Sequence, residues 1–320
     1  MTALKKYSIK NYTTYKGIQY EKLDISYQVF GPKLNSAPIV LVNHALTGNS
    51  DVISEDKGWW KELIGTHKLI DLEKYTVIVF NILGNGYDDV LIDSYKDFIA
   101  RDIAQLFYLT LQSLNVEKLY AAIGGSLGGG IAWEIAALYP SYIENLIPIA
   151  ADWKSTDWII GHNAIQESIL LNSKKPLQDA RKMAMLFYRT PKSFTQKFNR
   201  TKVNGSDTYN VESWLNHHGK KIESRFELKA YLMMNHLLST IDIARAQQNL
   251  EEVLSKIKSN VIQIAVDTDL FFVKEEAIKT KKILDRLNIK NEYYEVNSDY
   301  GHDAFLVEHQ QIEGFLKEVF

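Results

Sequence analysis

The chain has 320 residues, of which 46% are apolar, enough to bury a large hydrophobic core. Its 37 basic and 39 acidic residues leave a net charge of -2, which gives no general electrostatic reason to bind nucleic acid or an anionic membrane. Cysteine is absent, which excludes disulfides, thiol nucleophiles and thiolate metal sites.

The first half of the chain predicts a sheet whose strands alternate with helices. Residues 7 to 30 are rich in β-forming residues around Lys16-Gly17 and predict an antiparallel pair at the sheet's edge. Continuous apolar runs then predict strands covered on both faces, and runs with helical spacing predict helices between them. The strands are expected at 39–42, 76–84, just before Gly124 and 145–152, and the helices at 102–114 and 127–139.

The strand pattern stops at Trp153 and does not return before about Ser259. Amphipathic helical runs fill this stretch, with turn signals at Pro176, Pro191 and Asn204-Gly205. Alternation then resumes with strands at 261–267 and 291–297 and with helices at about 275–287 and from Glu308. This order predicts an α/β fold with a mainly parallel central sheet, which the serine motif described below narrows to an α/β-hydrolase fold. Its core comprises residues 1–152 and 260–320, and residues 153–259 form an inserted helical cap.

No segment predicts export or membrane insertion. The first residues lack the apolar stretch of a secretory signal, and nowhere do 18 uninterrupted apolar residues occur. We therefore expect a soluble cytoplasmic protein that acts on small molecules, without nucleic-acid or membrane partners.

A glycine-rich turn at Gly124–Gly128 places Ser126 between a buried strand and a helix. GxSxG in this setting is typical of a nucleophile elbow, where a strained serine projects from the carboxyl end of a strand. Small flanking residues let the strand and the helix approach each other closely. The turn therefore predicts Ser126 as a catalytic nucleophile.

Two other patterns suggest different sites. The same turn resembles a phosphate-binding loop, but it lacks a P-loop lysine and the spacing of a dinucleotide fingerprint. His217-His218 suggests a metal pair, but adjacent side chains point apart and no carboxylate–histidine pattern surrounds them. We expect that pair to face solvent, and we expect no metal.

A serine nucleophile needs a histidine base, and the histidine needs a carboxylate that fixes its tautomer. In α/β hydrolases these groups follow the order serine, carboxylate, histidine along the chain. His302 follows the strand at 291–297, and Asp269 follows the strand at 261–267, so loops can carry both residues to the elbow. Asp267 is a rival for the carboxylate.

Acyl chemistry also needs two hydrogen-bond donors where the carbonyl oxygen becomes negative. The Leu127 amide, directly after Ser126, is expected to be one of them. The other normally comes from the loop after an earlier strand, and Asn43–Gly48 occupies that position. We expect Leu46 to be the second backbone donor, and a plain loop is the alternative.

The chain resembles the homoserine O-acetyltransferase family at these motifs. The matching segments follow the same order as in the family, and they continue through the predicted cap. The resemblance favours Asp269 over Asp267, because the family's aspartate precedes a leucine-like position by two residues and Phe271 fills that position. The matching segments are NHALTG (43–48), GWW (58–60), NILG (81–84), GGSLGG (124–129), ARKMAMLFYR (180–189), YNVESWLNHHGKKIESRFELKAYL (209–232), DTDLFF (267–272) and GHDAFL (301–306).

This resemblance implies a reaction and further site residues. Ser126 would take an acetyl group from acetyl-CoA, which acts as a co-substrate, and pass it to the hydroxyl of L-homoserine in methionine biosynthesis, with ping-pong kinetics and no bound cofactor. Arg189 would bind the carboxylate of homoserine, and Asp303 would bind its ammonium group. Homodimerisation through the cap is implied as well.

Three departures from the family pattern leave the substrates open. Residues 84–95 lack the family's longer Gly-, Pro- and Ser-rich loop, GGSMGG becomes GGSLGG, and the usual Arg-Phe-Asp becomes Arg225-Phe226-Glu227. Succinyl-CoA is an alternative donor, and serine or water is an alternative acceptor. A serine esterase or thioesterase, or a non-catalytic binding protein with the same fold, remains an alternative function.

Overall fold

The computed structural model describes residues 2–245 and 249–320 and centres on one eight-stranded sheet. The strands are, in chain order, β1 (Lys5–Thr13), β2 (Gln19–Phe30), β3 (Ile39–Asn43), β4 (Ile64–Gly65), β5 (Ile70–Asp71), β6 (Thr76–Phe80), β7 (Leu119–Gly125), β8 (Ile143–Ile149), β9 (Asn260–Val266) and β10 (Asn291–Val296). The sheet order is β1-β2-β6-β3-β7-β8-β9-β10, and β4 pairs only with β5. Pairing is antiparallel from β1 to β6 and parallel between all later neighbours. The predicted α/β-hydrolase sheet and its antiparallel edge are confirmed.

Ten α-helices surround and extend this sheet within the described residues. They are α1 (Ala100–Ser113), α2 (Leu127–Leu138), α3 (Asp157–Asn172), α4 (Pro176–Tyr188), α5 (Pro191–Phe198), α6 (Asn210–Glu223), α7 (Leu228–Ser239), α8 (Leu250–Lys256), α9 (Lys274–Arg286) and α10 (His309–Leu316). Two 3-10 turns lie at Tyr95–Asp97 and Gly301–Leu306. Across residues 2–245 and 249–320, no helix combines the length and apolar character needed to cross a membrane.

The continuous apolar strands are covered on both faces, as predicted. In β3, Ile39 and Leu41 belong to one hydrophobic cluster, and Val40 and Val42 belong to the other. The first cluster continues into α1, α2 and the helices after β8, and the second continues into α10. Each inner strand therefore packs its alternate side chains into two separate cores.

Two strands end earlier than the sequence predicts. Strand β8 ends at Ile149 rather than Asp152, because Ala150 has φ 45°, a left-handed conformation that a strand cannot continue through. Strand β6 ends at Phe80 rather than Gly84, and the Ile82 N–H donates to the side chain of His44 instead of to a neighbouring strand. The other predicted core elements agree within two residues.

Helices α3 to α7 occupy the predicted cap segment. Pro176 and Pro191 are the first residues of α4 and α5, a position where the missing proline N–H costs no helical hydrogen bond. Gly205 adopts φ 71° at the predicted Asn204-Gly205 turn. Helix α8 lies in the same interval but packs against α2. The division at residues 152 and 260 stays a prediction.

Candidate active site

Ser126 forms the corner between β7 and α2. Its φ of 56° and ψ of -125° lie in a region that a side chain bearing a Cβ rarely adopts. The Ser126 N–H donates to the Ile149 carbonyl at 2.9 Å, which ties the strained corner to strand β8. The serine is buried at the carboxyl end of its strand, as the elbow pattern predicts.

The glycines around Ser126 are required by close contacts. A Cβ atom at Gly128 would lie 2.3 Å from the Asn43 carbonyl oxygen, so the helix could not approach β3 with any other residue there. The Asn43 side chain also donates to the Gly128 carbonyl at 3.2 Å. These contacts place the start of α2 directly beside the end of β3.

Asp269 and His302 form a buried pair. The Nδ1 of His302 lies 2.7 Å from Oδ2 of Asp269, and both side chains are almost completely enclosed. The other carboxylate oxygen of Asp269 accepts the N–H groups of Phe271 at 2.7 Å and Phe272 at 3.0 Å. The carboxylate is therefore held in place by two backbone donors, and Nδ1–H donates to it.

The rival carboxylate, Asp267, lies elsewhere in the network. Its Oδ1 accepts the N–H of Ser298 at 3.0 Å and thereby links the ends of β9 and β10. The structure therefore pairs His302 with Asp269, and Asp267 fixes the neighbouring loop.

Four aromatic rings surround His302. The ring centroids of Phe271, Phe272, Tyr188 and Phe305 lie 5.2, 5.7, 5.4 and 5.4 Å from the centre of the imidazole. All four are buried, so the imidazole sits in a low-dielectric environment where hydrogen bonds are strong.

Phe305 also joins His302 to the elbow. A Cβ atom at Gly125 would lie 2.4 Å from Cε2 of Phe305, so this ring touches the residue immediately before Ser126. Within the described residues, Ser126 Oγ forms no hydrogen bond, and its link to His302 is not made in this structure. Catalytic hydrogen bonds are often loose without substrate and tighten when it binds.

The two expected backbone donors lie on neighbouring elements. Leu46 is buried in a tight turn that the Gly48 N–H closes onto the Ala45 carbonyl at 2.9 Å. Leu127 is the first residue of α2, where N–H groups lack intrahelical partners. Neither amide donates to another described residue. We name the segment Ala45–Gly48, where the sequence predicts the second oxyanion donor, the oxyanion turn.

His44, which the sequence analysis left without a role, anchors the oxyanion turn. It is fully buried, and burial lowers the pKa of its imidazole to about 4, so the ring is neutral. Its Nδ1 lies 2.8 Å from the Ala45 carbonyl, and its Nε2 accepts the N–H of Ile82 at 3.0 Å. A histidine directly after a buried strand, inside a loop, was the available sequence signal.

Arg189 and Asp303 meet next to His302. Nε of Arg189 donates to Oδ2 of Asp303 at 2.8 Å, and both side chains are mostly buried. The guanidinium also lies 4.9 Å from the centre of the Tyr300 ring. The structure therefore brings both predicted substrate-binding residues to one place, where they pair with each other.

Arg225, in the predicted cap, contacts the oxyanion turn. The sequence analysis names this residue only as part of a segment that departs from the family pattern. Nη1 of Arg225 donates to the Thr47 carbonyl at 3.0 Å. Both residues line a cavity of about 280 Å³ together with Asn85 and Tyr87. The pKa of Arg225 is lowered, first by desolvation and then by the nearby charge of Arg181.

The adjacent histidines do not behave as a solvent-facing pair. His217 is exposed, but His218 is half-buried with its ring centre 4.2 Å from that of Trp214. Burial, followed by the charge of Arg181, lowers the pKa of His218 to about 4. The expectation of solvent exposure is therefore wrong for His218, because α6 turns this side chain against an aromatic neighbour.

Comparisons with known proteins agree with this geometry. A family model described as the alpha/beta hydrolase fold matches residues 38–309. The chain is 33% identical over 328 residues to a homoserine O-acetyltransferase of Cyclobacterium marinum, covering 95% of this chain and 91% of the relative. Among solved structures, it is similar in fold to the homoserine O-acetyltransferase from Bacillus anthracis (23% identity, TM-score 0.88, 100% of this chain and 98% of the other). It is also similar in fold to an acetylester hydrolase from Corynebacterium glutamicum (19% identity, TM-score 0.83, 99% and 95%). The chain therefore belongs to the homoserine O-acetyltransferase family of the α/β-hydrolase fold.

Proposed function

We propose that this enzyme transfers an acetyl group from acetyl-CoA to the side-chain hydroxyl of L-homoserine through an acetyl ester on Ser126. The observation that carries the proposal is the buried Asp269–His302 pair beside a strained serine elbow, in a chain that aligns with homoserine O-acetyltransferases over nearly its whole length. Acetyl-CoA is a co-substrate in this proposal, and no cofactor or metal takes part.

In the first half-reaction, His302 Nε2 accepts the Ser126 proton while Oγ attacks the thioester carbon. The resulting oxyanion accepts hydrogen bonds from the N–H groups of Leu46 and Leu127. When the intermediate collapses, the carbon–sulfur bond breaks and His302 returns the proton to the departing thiol. Asp269 holds the Nδ1–H tautomer and stabilises the imidazolium that forms in between.

In the second half-reaction, His302 deprotonates the homoserine hydroxyl, which attacks the acetyl ester on Ser126. Collapse of this intermediate breaks the Ser126 ester bond, and the serine oxygen regains its proton from His302. O-acetylhomoserine leaves, and the enzyme is ready for another acetyl-CoA.

The ion pair between Arg189 and Asp303 supports the proposal that the acceptor is a zwitterion. Before the acceptor binds, the two charges neutralise each other in a mostly buried place. An amino acid can replace this single ion pair with two ion pairs, one between its carboxylate and Arg189 and one between its ammonium group and Asp303. Water carries neither charge and therefore gains nothing from this exchange.

The position of Arg225 supports the proposal that the acyl donor is anionic. Its guanidinium lines the cavity beside the oxyanion turn, at the junction of cap and core, where phosphate groups of a coenzyme A thioester would meet a cation. In this proposal the coenzyme A portion of the donor occupies the cavity beside the oxyanion turn.

We also propose that the enzyme acts in the cytoplasm, in methionine biosynthesis. We further propose that two copies associate through the cap. Trp158 and Ile165 on α3 and Leu186 on α4 each expose about half of their surface, and apolar side chains exposed together can mark a protein–protein interface. Sedimentation equilibrium measures the mass in solution, and a monomer at micromolar concentration would contradict the dimer.

The role of Asp269 is tested by Asp269→Asn. The amide donates to Nδ1 and forces the imidazole proton onto Nε2, so His302 can no longer accept the Ser126 proton. We expect the acetylation rate of Ser126 to fall by about 10³- to 10⁴-fold in rapid-mixing experiments. Asp267→Asn is the matched control and should acylate like the parent, because an amide oxygen still accepts the Ser298 N–H. Equal losses in the two variants would refute the assignment.

The fate of the acetyl group separates transfer from hydrolysis. With acetyl-CoA present, release of free thiol should depend on added homoserine and should yield O-acetylhomoserine. The same assay with succinyl-CoA as donor, and with serine or water as acceptor, tests the alternative substrates. Sustained acetate release without homoserine would instead identify an esterase or thioesterase.

The role of Arg189 is tested by Arg189→Ala. Loss of a charged hydrogen bond to the acceptor carboxylate should raise KM for homoserine by roughly 10- to 100-fold, equivalent to about 1.5–3 kcal/mol. The rate of Ser126 acetylation should stay near that of the parent, since the donor does not use this contact. Lys192→Ala removes an exposed cation that pairs with Asp299 in the same region and serves as the control. An unchanged homoserine dependence would remove Arg189 from the site.

A further inference from the structure

We propose that His44 is a positioning residue that fixes the direction of the Leu46 N–H by holding the peptide group between Ala45 and Leu46. The inference rests on the proposed use of Leu46 as an oxyanion donor. It assigns a role in the reaction to a histidine that never touches the substrate.

One peptide group contains both the anchored oxygen and the proposed donor. The Ala45 carbonyl and the Leu46 N–H belong to the same planar trans unit, so they point in opposite directions. The Ala45 oxygen accepts from Nδ1 of His44 at 2.8 Å and from the Gly48 N–H at 2.9 Å. The two donors that hold the oxygen therefore aim the N–H in the opposite direction, where Leu46 has no partner among the described residues.

The second nitrogen of His44 determines which nitrogen carries the proton. Nε2 accepts the backbone N–H of Ile82 at 3.0 Å and lies 3.2 Å from the side-chain amide nitrogen of Asn85. An N–H that cannot be removed points at Nε2, so this nitrogen keeps its lone pair and the ring proton must sit on Nδ1. The core thus presents a donor, and not an acceptor, to the Ala45 carbonyl.

The position of Ile82 is itself anchored through the preceding residue. Oδ1 of Asn81 accepts the N–H of Ser50 at 2.8 Å, and its amide nitrogen donates to Oγ of Ser26 at 2.9 Å. All these groups are buried. The tautomer of His44 is therefore set by a network that connects three strands, not by a mobile loop.

A flipped peptide would be costly in this environment. Rotation by half a turn would point the Leu46 N–H at the Nδ1–H of His44 and leave two buried donors facing each other without an acceptor. Each unsatisfied buried donor raises the free energy of the flipped form. The oxyanion donor is consequently held in its orientation before any substrate binds, which is the condition for strong electrostatic stabilisation.

The turn is also fitted sterically to the imidazole. A Cβ atom at Gly48 would lie 2.8 Å from Cβ of His44, so only glycine lets the turn close tightly over this residue. From the cap side, Arg225 donates to the carbonyl of Thr47, two residues after Ala45. The peptide that carries the proposed donor therefore lies between a core anchor and a cap anchor.

Two variants separate the roles of the two ring nitrogens. In His44→Asn the amide nitrogen is bonded to Cγ, like Nδ1, so it can still donate to Ala45, while the N–H of Ile82 loses its acceptor. In His44→Gln the terminal oxygen lies one bond further out, near the position of Nε2, so it can still accept from Ile82, while Ala45 loses the donor. Each variant thus loses one buried hydrogen bond, and only His44→Gln removes the side-chain donor that holds the Ala45 carbonyl.

The measurement is the burst rate of p-nitrophenol release when p-nitrophenyl acetate acylates Ser126, together with the free energy of unfolding in urea. We expect His44→Gln to acylate about 10²- to 10³-fold more slowly than the parent, the loss typical for one oxyanion donor. His44→Asn should stay much closer to the parent despite a similar loss of stability. Equal losses of rate in the two variants, or an unimpaired His44→Gln, would overturn the proposal.

A second measurement needs no variant to fold. In the ¹⁵N spectrum of the parent, the assigned ring of His44 should be neutral and protonated at Nδ1. His302, whose Nδ1 faces Asp269, gives a separate signal that must be assigned independently. A proton on Nε2 of His44 would overturn the proposal.

The ester assay also separates this proposal from the proposed function, because it uses neither coenzyme A nor homoserine. A parent that is acylated by the ester but does not transfer to homoserine would refute the proposed function and leave the comparison of variants decisive. A parent that is not acylated at all would overturn the assignment of His44.

Discussion

The parallel pairing of the inner strands is the constraint on which the site depends. Strands β3, β7, β9 and β10 run in the same direction, so the residues that follow them emerge at one edge of the sheet. The oxyanion turn follows β3, Ser126 follows β7, Asp269 follows β9, and His302 follows β10. Segments far apart in sequence meet because the ladder fixes their register. The 3-10 turn that carries His302 also carries Phe305, whose ring lies against Gly125, the residue before Ser126.

The sequence predicts those features that depend on local patterns. Continuous apolar runs identify the buried strands, and the glycines around Ser126 identify the elbow, since only glycine tolerates the contact that Gly128 makes with β3. The residue pattern alone leaves Asp267 and Asp269 as alternatives, because both follow the same strand. Their roles differ only through their partners, which are His302 for one and the backbone of Ser298 for the other.

The features that the sequence cannot predict depend on long-range hydrogen bonds. His44 bonds to the backbone of Ile82, 38 residues away, and that contact also takes residues 81–84 out of the predicted strand. Arg189 and Asp303, separated by 114 residues, form an ion pair that no local pattern encodes. Local hydropathy reports on burial and periodicity, and it does not report which buried donor meets which acceptor.

An acyl-enzyme that must reach an alcohol rather than water needs enclosure as well as reactive groups. The aromatic rings around His302 exclude solvent from the proposed base, and the ion pair of Arg189 with Asp303 balances two charges until the proposed acceptor binds. The same scaffold can serve hydrolysis or transfer, so the acceptor pocket decides between these outcomes.

The most direct test of the central claim is peptide mass spectrometry after brief mixing with acetyl-CoA in the absence of homoserine. One acetyl group should appear on the peptide that contains Ser126, should disappear when homoserine is added, and should be missing from Ser126→Ala. An acetyl group on another residue, or formation of O-acetylhomoserine by Ser126→Ala at the parent's rate, would contradict the account.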